Sequence, residues 1–356
     1  MRLSLLDRHL AVAVLTATLA TAMVLLALVG FVSFVEELDW ARRHDRGADA
    51  AMLLTLYKLP ELAFEMFPIM VLLGAILGLG GLAAAGELVV MQAAGMPVWR
   101  MALSVAVVGL LLGSAALLLG DRAVPWAKTA AAAVKHGATE RNQSVPELWL
   151  REGTRFVHVA EVHSPTQLEQ LRIFEMSARG DRLLGVETIS RADFVDGQWQ
   201  GQAWQKDHVG QGSLDRRQQS LRDLSLQFEP EVLRLFLLQA DALSLPGLRR
   251  YIDYLERNKL DSHRPRLEFW RKLAAPLSVV AMMLLAVPFV LGPLRDTGAG
   301  QRLFIGVLIG IGFYVVNETA VSLGAVYRWS PVVAAFAPAL LLMLIAGWRL
   351  RSFRLG

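Results

Sequence analysis

Residues Ala11–Val35 read AVAVLTATLATAMVLLALVGFVSFV, a run without one charged side chain. A helix rises about 1.5 Å per residue, so roughly 20 apolar residues cross the hydrocarbon of a bilayer. This run is long enough. Five more follow: Met66–Gly86, Met101–Gly120, Leu273–Leu294, Leu303–Asn317 and Trp329–Trp348. Leu303–Asn317 is the short one, and it spans by continuing past Glu318 to Tyr327 with that acid sheltered. Three runs precede a polar middle section and three follow it. The pattern is that of a polytopic membrane protein with a soluble insert.

The totals agree. Of 356 residues, 54% are hydrophobic, and the mean hydropathy is +0.42. The formal charge of +4 gives no ground for nucleic-acid binding, because Lys and Arg gather beside membrane spans for topological reasons. There is no cysteine, which excludes disulfide scaffolds, Cys-based zinc sites and thiol nucleophiles. A secretory signal core is shorter than Ala11–Val35, so this run reads as a retained first span even though Ala20 and Ala22 weakly imitate a cleavage site.

Six spans put both termini on one side. Arg2, Arg8, Arg100, Arg295, Arg302, Arg349, Arg351 and Arg354 then flank one face, against Arg42, Arg43, Arg46, Lys58 and Arg328 on the other. The balance predicts cytoplasmic termini and an insert on the opposite side of the membrane. Arg264, Arg266, Arg271 and Lys272, at the outer mouth of the fourth span, run against it.

The chain therefore divides into spans one to three at 1–122, a helical connector at 123–145, a β-domain at 146–232, a second helical connector at 233–268, and spans four to six at 269–356. Val124–Arg141 is Ala-rich and extends the third span. Within the β-domain Leu224, Leu226 and Phe228 alternate with polar residues, and apolar segments recur at Phe156–Val159, Leu171–Phe174 and Phe194–Val195. Arg179-Gly180-Asp181 and Asp196-Gly197 read as turns between strands. Short strands over this length predict an all-β sandwich or jelly roll. Ser244 is a candidate helix N-cap with Pro246 in the first turn, and Leu248, Ile252 and Leu255 form an apolar stripe.

The link between spans two and three, Gly86-Glu87-Leu88-Val89-Val90-Met91-Gln92-Ala93-Ala94-Gly95-Met96-Pro97, is too apolar for an ordinary loop. Glu87 suits the positive end of a helix, and Gly95 with Pro97 is a stop signal. A short surface helix over 86–97, with Leu88, Met91 and Gly95 along one face, is expected. From the residues alone it either rests on lipid headgroups or docks into a cleft of a soluble ATPase as a coupling helix.

The string Glu87–Gly95 resembles the coupling segment of the LptF/LptG permease family of lipopolysaccharide exporters, and within it the LptG branch. Leu6-Asp7-Arg8, Asp241-Ala242-Leu243-Ser244 and Gly292-Pro293-Leu294-Arg295 are similar to that family too. The resemblance implies a heterodimer with LptF around a lipopolysaccharide cavity, two copies of the ATPase LptB beneath, and LptC alongside. It implies that Glu87 meets a basic residue of LptB. ATP and Mg would belong to that ATPase; this chain lacks a Gly-x-x-x-x-Gly-Lys-Ser/Thr phosphate loop and is expected to bind no cofactor.

Lipid A phosphates need a basic rim above an apolar wall. Arg42, Arg43, Arg46 and Lys58 are the candidates, with Arg264, Arg266, Arg271 and Lys272 behind them. The plain alternative is that they snorkel to headgroups or pair with Glu36, Glu37, Asp39 and Asp45. The family tends to carry lysines where this chain has Ser33 and Glu61. Asn317 and Glu318 are a possible intramembrane polar site, which keeps a proton-coupled secondary transporter or a non-catalytic scaffold as alternatives. Glu61 and Glu65 lie nearer the interface. His158 and His163 have no third ligand at a metal spacing, and no nucleophile motif is present, so neither an enzyme nor a metal site is expected.

Overall fold

The computed structural model describes residues 5–139, 148–164, 166–177, 182–195, 197–209, 214–224, 226, 233, 243–292 and 298–352. Contacts divide the chain into two compact units, Met1–Ala138 with His263–Gly356, and Thr139–Ser262.

The first unit is helical. It contains α1 (Leu5–Arg43), α2 (Ala48–Ala84), α3 (Glu87–Ala93), α4 (Val98–Leu118) and most of α5 (Val124–Thr139). A π turn, Leu119–Ala123, joins α4 to α5 without a break, as the Ala-rich extension predicts. Among the described residues, six helices are long and apolar enough to cross a membrane. They lie in α1, α2, α4 with α5, and the three later helices α7 (His263–Leu291), α8 (Ala299–Tyr327) and α9 (Pro331–Ser352). The Gly-Pro-Leu-Arg loop lies outside the described residues beyond Gly292.

Lipid tails are as apolar as leucine, so close van der Waals packing must hold such helices together. Small residues supply it. A methyl group at Gly78 would stand 2.9 Å from the Ala13 carbonyl oxygen, and one at Gly113 would stand 2.8 Å from the Pro276 Cα. Thus α1 lies on α2 and α4 on α7 almost backbone to backbone. Leu10, Val14, Leu72, Ile76, Leu79, Met101, Val105, Met282 and Val287 fill the core between them. The opposite face of α1 leaves Met23, Val24, Leu28 and Phe31 exposed, a surface suited to lipid or to another span.

The second unit is an antiparallel sheet of six strands in sequence order. They are β1 (Leu148–Glu152), β2 (Arg155–Ser164), β3 (Gln167–Met176), β4 (Leu183–Val195), β5 (Gln198–Val209) and β6 (Leu214–Leu224). The described strands form a meander, with no crossing of Greek-key type among them. The predicted apolar segments fall in β2, β3 and β4, and Gly197 turns β4 into β5 at φ 83. The Arg179–Asp181 turn and Phe228 lie outside the described residues.

Leu168 and Leu171 are both fully buried although they lie three positions apart, an odd offset. So are Ile189 and Ala192, and Gly201 and Trp204 repeat the offset. Pleating alternates faces, so each strand must exchange its inward face between these positions. Registers of Glu161↔Glu169, Val159↔Leu171, Glu169↔Arg191, Thr188↔Gln205 and Arg191↔Gln202 put the exchange in one row across the sheet. There Gln170 and Ala203 take φ of 53 and 52. The bend lets both halves of a single meander close on one core, which is how strands turn the corner of an orthogonal sandwich.

Helix α6 (Leu245–Arg257) completes this unit. The Ser244 hydroxyl accepts from Gly247 N–H at 3.3 Å, so the expected N-cap forms. Leu248 and Leu255 are buried, and Tyr254 Oη donates to the Arg151 carbonyl at 3.1 Å.

Candidate functional site

Helix α3 begins at Glu87 directly after Gly86, whose φ of 73 suits glycine and turns the chain sharply out of α2. The last turn of α2 continues into that turn through Ala85 N–H to Gly81 O and Gly86 N–H to Ala83 O, each 3.0 Å. Gly95, at φ 88, and Pro97 end the segment where the stop signal predicts.

Leu88 and Met91 share a face, and that face is turned into the protein. They are 3% and 4% exposed and belong to the same core as Leu10, Met101 and Val287. Met96 joins them. Gly95 is exposed and does not share their environment. Apolar character alone does not distinguish a residue for a partner from one for the chain's own core. The outward surface of α3 is Val89, Val90, Gln92 and Ala93, with Ala94 following.

Glu87 sits at the edge of that surface. Its Oε2 lies 2.7 Å from His9 Nε2 on the second turn of α1. Beside it, Asp7 is buried and accepts from Arg100 at 3.0 Å and from the Ser104 hydroxyl at 2.8 Å. Asp7 thereby binds the start of α1 to α4. Neither tie was expected from sequence, although Asp7 lies in the Leu6-Asp7-Arg8 string.

Helix α3 is thus seated by an apolar pair and leaves Glu87 beside an exposed apolar strip. Residues 8–352 match the family described as lipopolysaccharide export system permease LptF/LptG. The chain belongs to that family. Among its relatives, the lipopolysaccharide export system permease protein LptG of Escherichia coli K12 is 31% identical over 355 residues, 97% of each chain. The LptG protein of Haemophilus influenzae is 29% identical over 356 residues, 98% of this chain and 99% of that one. This LptF/LptG-family permease is thus a multi-pass inner-membrane protein.

The remaining predicted positions of the permease separate into two groups. At the C-terminal end of α1, Arg42, Arg43 and Arg46 are exposed, and Arg43 Nε donates to the Asp39 carbonyl at 3.2 Å. Lys58 is paired instead, with Glu36 at 3.0 Å. Nearby, an apolar groove of about 420 Å³ opens between α1 and α2, lined by residues such as Leu26, Phe31, Phe34, Met52, Leu56 and Leu59.

Acids on the long helices are matched by bases from other helices. Lys128 reaches Glu61 at 2.8 Å, Lys135 reaches Glu37 at 3.1 Å, and Arg271 reaches Glu318 at 2.9 Å. Glu65 lies within electrostatic range of Glu61, Lys128, Arg271 and Glu318. Asn317, beside Glu318, is half-buried. Lys272 is buried and donates to the Gly120 carbonyl at 3.3 Å. The basic cluster that opposed the charge rule is therefore partly consumed by structural bonds, while Arg264 and Arg266 stay exposed. His158 packs tilted against Trp149 with ring centroids 4.5 Å apart, and no metal-binding group occurs among the described residues.

Proposed function

We propose that this chain is a membrane subunit of a lipopolysaccharide exporter driven by a separate ATPase. The observation that carries the proposal is α3: a seated helix between the second and third spans with Val89, Val90 and Glu87 turned outward. In this reading α3 docks on the ATPase LptB, present in two copies, and LptF supplies the second half of the cavity. LptC joins alongside. The termini and α3 are cytoplasmic and the sheet is periplasmic, as the arginine distribution favours.

The groove between α1 and α2 would take acyl chains, since its walls are almost wholly apolar. Arg42, Arg43 and Arg46 would meet the phosphates at its rim, and Lys58 would do so only by leaving Glu36. ATP-driven closure of the ATPase pair would move α3 and with it the spans that line the cavity.

The test is recovery of the tagged chain in a gentle detergent, with mass spectrometry of its companions. An ABC-type ATPase, a second six-span permease and bound lipopolysaccharide are expected together. Recovery of the chain alone, repeated after crosslinking, would sink the proposal and favour a self-contained transporter with Glu318 at its centre.

A further inference from the structure

Arg302 stands in the first turn of α8 and is 5% exposed. Its Nη1 donates to the carbonyl of Gly80, four residues before the end of α2. The C-terminal end of a helix carries partial negative charge, which favours a cation nearby. Glycine leaves room for the approach: a methyl group at position 80 would stand 2.7 Å from Nη1 and 2.9 Å from Cδ of Arg302, so the guanidinium would have to shift.

The contact is the end of a longer seam. One turn along α8, a methyl group at Gly306 would meet Leu73 Cδ2 at 2.6 Å, and at Gly310 it would meet Ile69 at 3.0 Å. Positions 302, 306 and 310 lie four apart and so form one edge of α8. Against them run Gly80, Leu73 and Ile69 of α2. The two helices are in close contact at three successive turns, one of them through a charged hydrogen bond. Helix α2 runs into α3 through the two-residue turn Ala85-Gly86, whose N–H groups bond back to Gly81 and Ala83 of α2 while the Gly86 carbonyl accepts from Val89 and Val90 of α3.

We infer that Arg302 is a positioning residue that makes α8 follow α3, passing movement of the docking helix to the fifth span. Arg302 touches neither ATPase nor substrate in this role; it acts through Gly80. The inference rests on the reading of α3 as the docking helix for its purpose, but the mechanical link between α3 and α8 stands by itself.

The link is tested on the full chain in nanodiscs, with nitroxide labels at Val90→Cys and Val315→Cys, both exposed sites in a chain without native cysteine. A narrow distance distribution is expected, broadened by Arg302→Met and restored by Arg302→Lys. In the assembled exporter, Arg302→Met should retain ATP hydrolysis while lipopolysaccharide released per ATP falls about fivefold, the lower range of allosteric coupling. Gly80→Ala, which displaces the guanidinium and keeps its charge, should do the same. Unchanged distances and unchanged release per ATP in both variants would overturn the inference. So would failure of both to assemble, since Arg302 would then serve folding alone. If the wild-type chain binds no ATPase, the proposed function fails while the distance measurement still decides the link.

Discussion

Glu87 of α3 and His9 of α1 meet at 2.7 Å, joining the short helix to the first span by side chains that are 44% and 54% exposed. A contact so wet contributes about 0–1 kcal/mol, because water competes for it and two mobile side chains are held. Its place matters more than its strength, since it holds the one acid of α3 at the border of the exposed Val89–Val90 surface.

His9→Ala should therefore shift the thermal midpoint little, by less than about 1 kcal/mol of stability. Glu87→Ala should sharply reduce co-purification of the ATPase and lipopolysaccharide export while the chain inserts normally. Membrane fractionation, pull-down and an export assay decide between them. Normal export with normal ATPase recovery in Glu87→Ala would remove Glu87 from the mechanism.

Asp7 differs from Glu87 in being buried, with both carboxylate oxygens occupied by Arg100 and Ser104. Asp7→Ala strands the Arg100 charge and should destabilise the helical unit by about 1.5–3 kcal/mol. Ser104→Ala leaves the Arg100 bond and should cost nearer 1 kcal/mol. Thermal unfolding in detergent reads both. Equal effects would mean that the Asp7–Arg100 pair is as weak as a surface one.

The spans were legible because a bilayer tolerates so little: each needs a long uncharged run, and six such runs stand out. Ser244 and Gly95 were legible for a similar reason, each answering a local backbone demand. The orientation of Leu88 and Met91 was hidden, since docking surface and protein core both ask for apolar side chains. Lys128 with Glu61 and Arg271 with Glu318 were hidden too, because helix packing unites residues far apart in the chain. In the sheet, Gln170 and Ala203 look like ordinary strand residues. Their positive φ follows from the bend across neighbouring strands, which no single strand encodes.

Alkaline pH should loosen the β-unit before the neutral range is affected. Burial pushes the Tyr254 hydroxyl up to about 12, with the nearby Glu152 and Tyr251 adding to the rise. Burial alone raises Tyr251. At Lys206 burial acts downward but Glu187 and Glu175, at 2.9 and 3.0 Å, outweigh it and raise the ammonium above its usual range. In each case the folded state holds a proton that the unfolded chain has released. Stability is thus complete below pH ~10 and falls as pH rises through about 10–12. Tyr254→Phe should lose roughly 1 kcal/mol at neutral pH with its hydrogen bond, and should flatten the alkaline decline. Far-ultraviolet circular dichroism with tyrosinate absorbance follows both. An equally steep decline in the variant would clear Tyr254 of any part in it.

Arg271 and Glu318 join α7 to α8 at 2.9 Å, with Glu268 a further 3.8 Å partner of the same guanidinium. If the pair is structural, its members depend on each other. Arg271→Leu leaves Glu318 without its base, and Glu318→Leu leaves Arg271 with the longer contact to Glu268, so each single change should cost more than the double change. A coupling of about 1–3 kcal/mol is expected from the four-corner cycle, measured by thermal unfolding. Export should follow the same order, with Glu318→Gln close to wild type because an amide still accepts from Arg271. A proton-carrying Glu318 predicts the opposite: Glu318→Gln would abolish transport at every pH while leaving the fold intact. Such a result, with no coupling in the cycle, would replace the structural role by a proton-linked one.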